Sequence, residues 1–368
     1  MSAGRLFQPI TIGDTTLKHR VVLAPMTRLR NSATHVPTEL TRKYYERAAI
    51  GAEGGLLITE ATAIAGKAAG LPNVPGIWSP EQIAAWKDIT KDVHAHGAKI
   101  YLQLWAMGRA ANADVLKAEG FDYTGPSPYP HDGKTPRELT IPEIQEFVQL
   151  FATAARNAVE GAGFDGVEVH GANGYLIQQF LVDKSNFRTD AYGGSIENRS
   201  RFGLEVLKAV TDAIGQKKTA IRLSPFFSFY ELEMADPKPT YKYFVEQVRN
   251  QFPDLAYIHT VEPRMEGAAD TFQELNDEVG SGNDFLRQIW SPRPFIASGG
   301  FRPETAKFDA EKYEHDLVAI ARYYLSNPDL PRRIREGLPL TKYDRSTFYL
   351  PGEPKGYVDY PFVGEEKA

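Results

Sequence analysis

The sequence predicts an α/β fold, a single (β/α)8 TIM barrel, on three observations. Eight short apolar runs recur along the chain, and amphipathic segments separate most of them. No Gly/Ser or Pro linker, composition break or low-complexity tract divides the 368 residues. Short apolar runs suit strands buried on both faces, and strand–helix alternation repeated eight times favours a closed barrel over an open sheet. One barrel of ~250 residues plus insertions accounts for the length, so residues 1–368 read as one domain.

The runs are Val21–Ala24, Gly55–Ile58, Lys99–Leu102, Gly166–Val169, Thr219–Leu223, Ala256–Ile258, Pro294–Ala297 and Leu317–Ile320. Between the third and fourth, Ile141, Ile144, Phe147, Val148, Phe151, Ala152 and Ala155 fall on one helical stripe after Thr140. Ser195 is placed to cap the next helix, whose apolar face continues through Phe202, Val206 and Val210. Asn327-Pro328 reads as a helix start and Gly337 as its stop. Two insertions stand out. Phe7 to Lys18, with Gly13-Asp14 at a turn, predicts a hairpin capping the bottom of the barrel. Ala106 to Arg137, rich in Pro and Gly, is a long loop insertion after strand three, on the face where such loops shape an active site.

Composition narrows the function. The 42 Lys+Arg against 47 Asp+Glu leave a net charge of −5, which offers no attraction to nucleic acid or anionic membrane. Cysteine is absent, removing disulfides, thiolate metal sites and cysteine nucleophiles. The start MSAGRLFQPI lacks an apolar signal region, and no apolar run approaches the ~18–20 residues that span a bilayer. A cytoplasmic enzyme acting on a small molecule, monomer or homodimer, is the expectation.

In a (β/α)8 barrel the chemistry sits at the C-terminal strand ends. Those ends carry Pro25-Met26-Thr27-Arg28, Thr59-Glu60-Ala61, Gln103-Leu104-Trp105, His170 to Asn173 with Tyr175 beyond, Arg222, Ser298-Gly299-Gly300 and Arg322. This is a ring of hydrogen-bond donors without a carboxylate or histidine cluster. No lysine ends a strand as a Schiff-base enzyme requires, and His170 alone is too few ligands for a catalytic zinc. His94 and His96 have ligand-like spacing but precede strand three, on the opposite face, and read as structural or surface residues. Gly299, Gly300 and Arg322 together suit a phosphate held by the last two βα units. Arg222, inside strand five, needs either a carboxylate such as Glu168 or an electron-rich ligand; the ligand is the preferred reading.

His170-Gly-Ala-Asn173-Gly-Tyr175-Leu and the block Asn186-Phe-Arg188-Thr-Asp190-Ala-Tyr192-Gly-Gly-Ser195-Ile-Glu-Asn-Arg199 resemble the old yellow enzyme family of flavin-dependent ene-reductases, fungal members above all. Ala24 to Arg28, Leu57 to Glu60, Pro75 to Ser79, Gln103 to Trp105, Arg222 to Pro225, Ser326 to Leu330, Lys342 to Arg345 and Gly356 to Tyr360 follow in the family's order, so the match runs from Leu6 to Phe362. The resemblance implies a barrel holding FMN noncovalently, reduced by NADPH or NADH, that passes hydride to the β-carbon of an α,β-unsaturated carbonyl compound. It implies that His170 and Asn173 bind the carbonyl oxygen and that Tyr175 protonates the α-carbon. Pro25, Met26, Thr27 and Ala61 would lie beside the flavin, with Thr27 on its C4 carbonyl. Gln103 would bind the pyrimidine edge and Arg222 would sit near N1 and the C2 carbonyl. Gly299, Gly300, Ala321 and Arg322 would hold the phosphate, and Trp105, Phe348 and Tyr349 would line the substrate pocket. No metal is implied.

The chain departs from the family pattern in places. Ala321 replaces the usual glycine before the strand-eight arginine; its methyl costs nothing if φ there is negative and crowds the phosphate site otherwise. Gly300 stands where many members have Asn. The acidic stretch Glu262 to Asp284 aligns with nothing and reads as a solvated surface loop. Two alternatives follow: an FMN-dependent isomerase of secondary metabolism, or a non-catalytic barrel that has lost flavin. The presence of Tyr175 favours net reduction.

Overall fold

The computed structural model describes residues 4–263 and 282–365. Eight parallel strands close a barrel: β1 Val21–Leu23, β2 Leu56–Ile58, β3 Lys99–Trp105, β4 Gly166–Gly171, β5 Thr219–Leu223, β6 Tyr257–Val261, β7 Phe295–Ser298 and β8 Asp316–Ile320. Each pairs with its sequence neighbour, and β8 returns to β1 with Val318 opposite Val21. All eight apolar runs are barrel strands.

Alternation along each strand splits the side chains into two sets. Outward residues such as Leu57, Leu102, Val169, Ile221 and Ile258 pack with Trp86, Phe151, Phe202 and Phe244 of the surrounding helices in the main core. Inward residues near the strand starts, Val22, Leu56, Tyr101, Ala220, Tyr257, Ile296 and Leu317, form a separate floor. Ile12 and Leu17 of the antiparallel hairpin Ile10–Ile12/Thr15–Leu17 belong to that floor, so the hairpin plugs the bottom as the sequence predicts. Further along β3 and β4 the inward residues turn polar, and the cavity begins there.

The helices start where the caps are. Ser79 and Thr140 make reciprocal capping boxes with Gln82 and Glu143, and the Ser195 hydroxyl accepts from the Asn198 N–H. Each cap contributes about 1 kcal/mol by satisfying backbone donors left at the helix start. Asn327-Pro328 does not open a helix: the helix is Leu330–Glu336, ending at Gly337 with φ 69°. Asn327 instead donates to the Tyr323 and Thr341 carbonyls and accepts from the Thr341 N–H, stapling the chain beyond the helix.

The insertion after β3 is structured. It carries the helix Ala113–Ala118 and the strand pair Thr124–Gly125/Arg137–Glu138. Buried Arg109 anchors it, donating to the Tyr129, Pro130 and Tyr230 carbonyls and pairing with Glu231 at 2.7 Å. His94 pairs with Asp165 at 2.8 Å and His96 lies 3.8 Å from Glu46, and neither joins a metal-ligand group among the described residues. Among the described residues no helix is long and apolar enough to cross a membrane. Most of the acidic stretch Glu262 to Asp284 lies outside the described residues.

Candidate active site

The C-terminal strand ends open into a cavity of about 760 Å³. The residues that the resemblance assigns to cofactor and substrate line it: Pro25, Met26 and Thr27 after β1, Ala61 after β2, Gln103 and Trp105 on β3, and His170, Asn173 and Tyr175 at and beyond β4. Arg222 enters from β5, Gly299 and Gly300 after β7, Ala321 and Arg322 after β8, and Phe348 and Tyr349 from the C-terminal segment.

His170 is buried, and its Nδ1 accepts the Ala172 N–H at 3.3 Å. The ring proton therefore sits on Nε2. Burial first, then the positive field of Arg222, holds its pKa well below the ordinary value, so the ring is neutral at pH 7 and its Nε2–H is a donor. Asn173 adopts the left-handed region at φ 55°, with its own N–H given to Ser224 Oγ at 2.8 Å. That turn brings Asn173 and Tyr175 to the cavity beside His170. The Tyr175 ring meets those of His170 and Trp105 edge to face, at 4.9 and 5.0 Å. Burial, and then the neighbouring Tyr230 and Tyr349 hydroxyls, raise the Tyr175 pKa, so it is a protonated phenol at neutral pH.

Two glutamines of the helix Leu176–Leu181 hold this turn, and sequence reasoning missed both. Gln178 accepts the Gly174 N–H and donates to the Ser224 carbonyl and the Tyr241 hydroxyl, each within 2.8–2.9 Å. Gln179 donates to the Gly174 and Met107 carbonyls and accepts the Arg109 N–H. The available signal was two adjacent glutamines in the otherwise apolar hexapeptide LIQQFL. Phe227, Phe229 and Tyr230 also line the cavity unforeseen. A Cβ on Gly174 would lie 2.7 Å from the Tyr230 ring, which shows how closely that aromatic covers the turn.

A second set of groups, beginning with Arg222 beside His170 on the neighbouring strand, suits an anionic, hydrogen-bonding ligand. Arg222 is buried and its Nε has no hydrogen-bond partner. Burial pulls its pKa down, and Glu168 opposes that at longer range without bonding to it. Gln103 gives its amide N–H to Glu168 at 2.7 Å, leaving its carbonyl oxygen as the group available to the cavity. Gly299 and Gly300 have φ of 111° and 70°; the first is a value that calls for glycine, and the second lies near the left-handed region that Asn173 also enters. Ala321 has φ −96°, so its methyl adds no left-handed strain. An unpartnered guanidinium, an amide carbonyl, a glycine turn and a second arginine together fit FMN, whose pyrimidine edge and phosphate need these groups.

Beside Thr27 stands the buried carboxyl of Glu60. It accepts from the Arg28 N–H at 3.4 Å and from the Asn31 amide at 3.3 Å, while its other oxygen has no partner. Burial pushes its pKa up to about 7 against these stabilising contacts.

Residues 5–341 match the NADH:flavin oxidoreductase / NADH oxidase family. Chanoclavine-I aldehyde reductase fgaOx3 of Penicillium roqueforti is 47% identical, over 98% of this chain and 97% of its own. The probable inactive dehydrogenase easA of Claviceps fusiformis is 44% identical, over 99% and 96%. The crystal structure of Old Yellow Enzyme from Pichia sp. AKU4542 superposes with a TM-score of 0.91 at 36% identity, covering 100% of this chain and 96% of that one. The chain belongs to the NADH:flavin oxidoreductase family, as an old yellow enzyme. It is an NAD(P)H-dependent flavin oxidoreductase with FMN as cofactor.

Proposed function

We propose that this flavoprotein is an ene-reductase, reducing the activated C=C bond of α,β-unsaturated carbonyl compounds. The observation that carries this reading is the convergence of two neutral donors, His170 and Asn173, with the protonated phenol of Tyr175 at one cavity wall. With FMN held there, the site would have a hydride carrier between NAD(P)H and the alkene β-carbon. The chain's own residues do the rest. His170 Nε2–H and the Asn173 amide hold the substrate carbonyl oxygen and stabilise the negative charge that grows on it. Because His170 is already neutral, it is a hydrogen-bond donor and leaves protonation to another group. Tyr175 delivers the proton to the α-carbon, and its raised pKa favours reprotonation after each turnover.

Gln103 and Arg222 would hold the pyrimidine edge, Thr27 the C4 carbonyl, and Gly299, Gly300, Ala321 and Arg322 the phosphate, with Pro25, Met26 and Ala61 beside the ring. Trp105, Phe348 and Tyr349, with Phe227 and Tyr230, form an aromatic wall suited to a broad, flat, unsaturated substrate. Tyr175 favours net reduction over isomerisation, and the glycine turn with the negative φ of Ala321 argues against loss of the cofactor. The test is a titration of the oxidised holoprotein with a phenol, whose oxygen mimics the substrate's, followed by the visible spectrum. Binding that perturbs the flavin band and disappears in the double variant His170→Ala/Asn173→Ala is expected; an unchanged titration in that variant would exclude the pair as the oxygen site.

A further inference from the structure

We propose that Glu168 and His259, a carboxylate–imidazole pair inside the barrel, are positioning residues for the pyrimidine edge of the cofactor. They fix which way the Gln103 amide faces and how much of the Arg222 charge reaches that edge. This rests on the assignment of Gln103 and Arg222 to the cofactor.

Strand register brings the four groups together. Gln103 on β3 lies opposite Glu168 on β4, and Arg222 on β5 lies opposite His259 on β6. Glu168 and His259 are fully buried. Both carboxylate oxygens of Glu168 are used, one by the Gln103 amide N–H at 2.7 Å and the other by His259 Nδ1 at 2.8 Å. A buried charge so placed needs a reason, since an apolar pair would fill the same space without the cost of desolvation.

The reason lies in what a carboxylate cannot do. It only accepts, so it repels the carbonyl end of Gln103 and admits only the NH2 end. The Gln103 carbonyl oxygen is thereby held as an acceptor for the cavity, the polarity that the N3–H of a flavin requires. A glutamine at position 168 would tolerate either orientation. His259 completes the arrangement. With a carboxylate for a partner its Nδ1 must carry the proton, and its Nε2 has no partner. Burial holds the imidazole pKa down, against the pull of Glu168, so the ring is neutral and adds no second positive charge. One negative and one positive group therefore remain. Glu168 offsets part of the Arg222 field that would otherwise favour the negative charge the cofactor gains on reduction.

The experiment compares Glu168→Gln holoprotein with wild type by potentiometric titration, visible spectrum and FMN dissociation. The midpoint potential moves to a more positive value, the flavin band shifts, and the FMN dissociation constant rises about tenfold, the scale of one charge-assisted hydrogen bond. A merely structural role would weaken FMN binding without moving the potential; an unchanged midpoint in folded, flavin-loaded Glu168→Gln overturns the proposal. Should that variant not fold, His259→Leu and His259→Asn decide, because only asparagine retains a donor. The proposal requires a changed midpoint in the first and recovery towards wild type in the second, and equal midpoints in both overturn it. Gln103→Ala separates the two levels. If it leaves FMN affinity and spectrum untouched, the cofactor assignment fails; if it alters them while Glu168→Gln does not, only the role of the pair fails.

Discussion

Ala321, after β8, and Gly299, after β7, both line the cavity where the phosphate is proposed to bind, but they answer to different constraints. Ala321, at φ −96°, pays nothing for its methyl, so Ala321→Gly should leave the FMN dissociation constant within about twofold. Gly299, at φ 111°, has no such freedom, and Gly299→Ala should both destabilise the fold by about 1–3 kcal/mol and weaken FMN binding. Fluorescence titration of the apoprotein with FMN checks both. Glu60 supplies a pH prediction. In the folded chain its carboxyl keeps its proton up to about pH 7, whereas the unfolded carboxyl loses it above about 4.5. The folded state thus binds the extra proton between these values, and this contribution to stability declines as pH rises through that window. Glu60→Gln should remove a decline on the order of 2 kcal/mol, visible as a wild-type-minus-variant difference in Tm that falls between pH 5 and 7. Strand-end residues such as His170, Asn173 and Arg222 were legible because a barrel dictates where its chemistry sits. Glu60 was visible as a residue but not as a buried acid, since its burial comes from Arg28, Asn31 and Tyr45 folding over it.

The helix Leu176–Leu181 shows what element-level reasoning can and cannot reach. Its six residues are all buried, and its apolar positions make it look like core alone. Yet Gln178 and Gln179 together satisfy backbone groups of Gly174, Ser224, Met107 and Arg109. Gln178→Leu would strand the Gly174 N–H and leave the Ser224 carbonyl with the Phe227 N–H alone, so it should cost about 1–3 kcal/mol by thermal unfolding. Because the turn carries Asn173 and Tyr175, the same change should raise KM for the enone while leaving FMN content intact. The cap at Ser195 was read from local sequence, for capping is a contact between residues three apart, and the capping boxes of Ser79 and Thr140 carry the same local signal. Asn327 was misread because its partners at Tyr323 and Thr341 include one fourteen residues away, which no local rule supplies. The insertion after β3 was legible as an insertion; that Arg109 ties it to Tyr230 and Glu231 was not, for the same reason.

Across the whole molecule, the cavity draws residues from β1 at one end of the chain to β8 and the C-terminal segment at the other. A ligand that bridges all of them binds the folded barrel and not the unfolded chain, so FMN stabilises by mass action. Removing it should lower Tm, and adding FMN back at about 100 times its dissociation constant should restore about 2.7 kcal/mol. Equal Tm for apoprotein and holoprotein would mean that the cofactor does not bridge the strand ends. The division of the barrel interior explains why the fold and the site could be read together. The lower inward layer is apolar and specifies closure, while the upper one is polar and specifies chemistry, and both sit on the same strands.

Net alkene reduction in this cavity, with Tyr175 as the proton donor, is tested by following both half-reactions anaerobically in wild type and Tyr175→Phe. Wild type should be reduced by NADPH and reoxidised by an enone with formation of the saturated product. Tyr175→Phe should be reduced at an unchanged rate but reoxidised by the enone at least about 100-fold more slowly. A wild type that forms no saturated product, or a variant in which both half-reactions fall equally, would contradict the account.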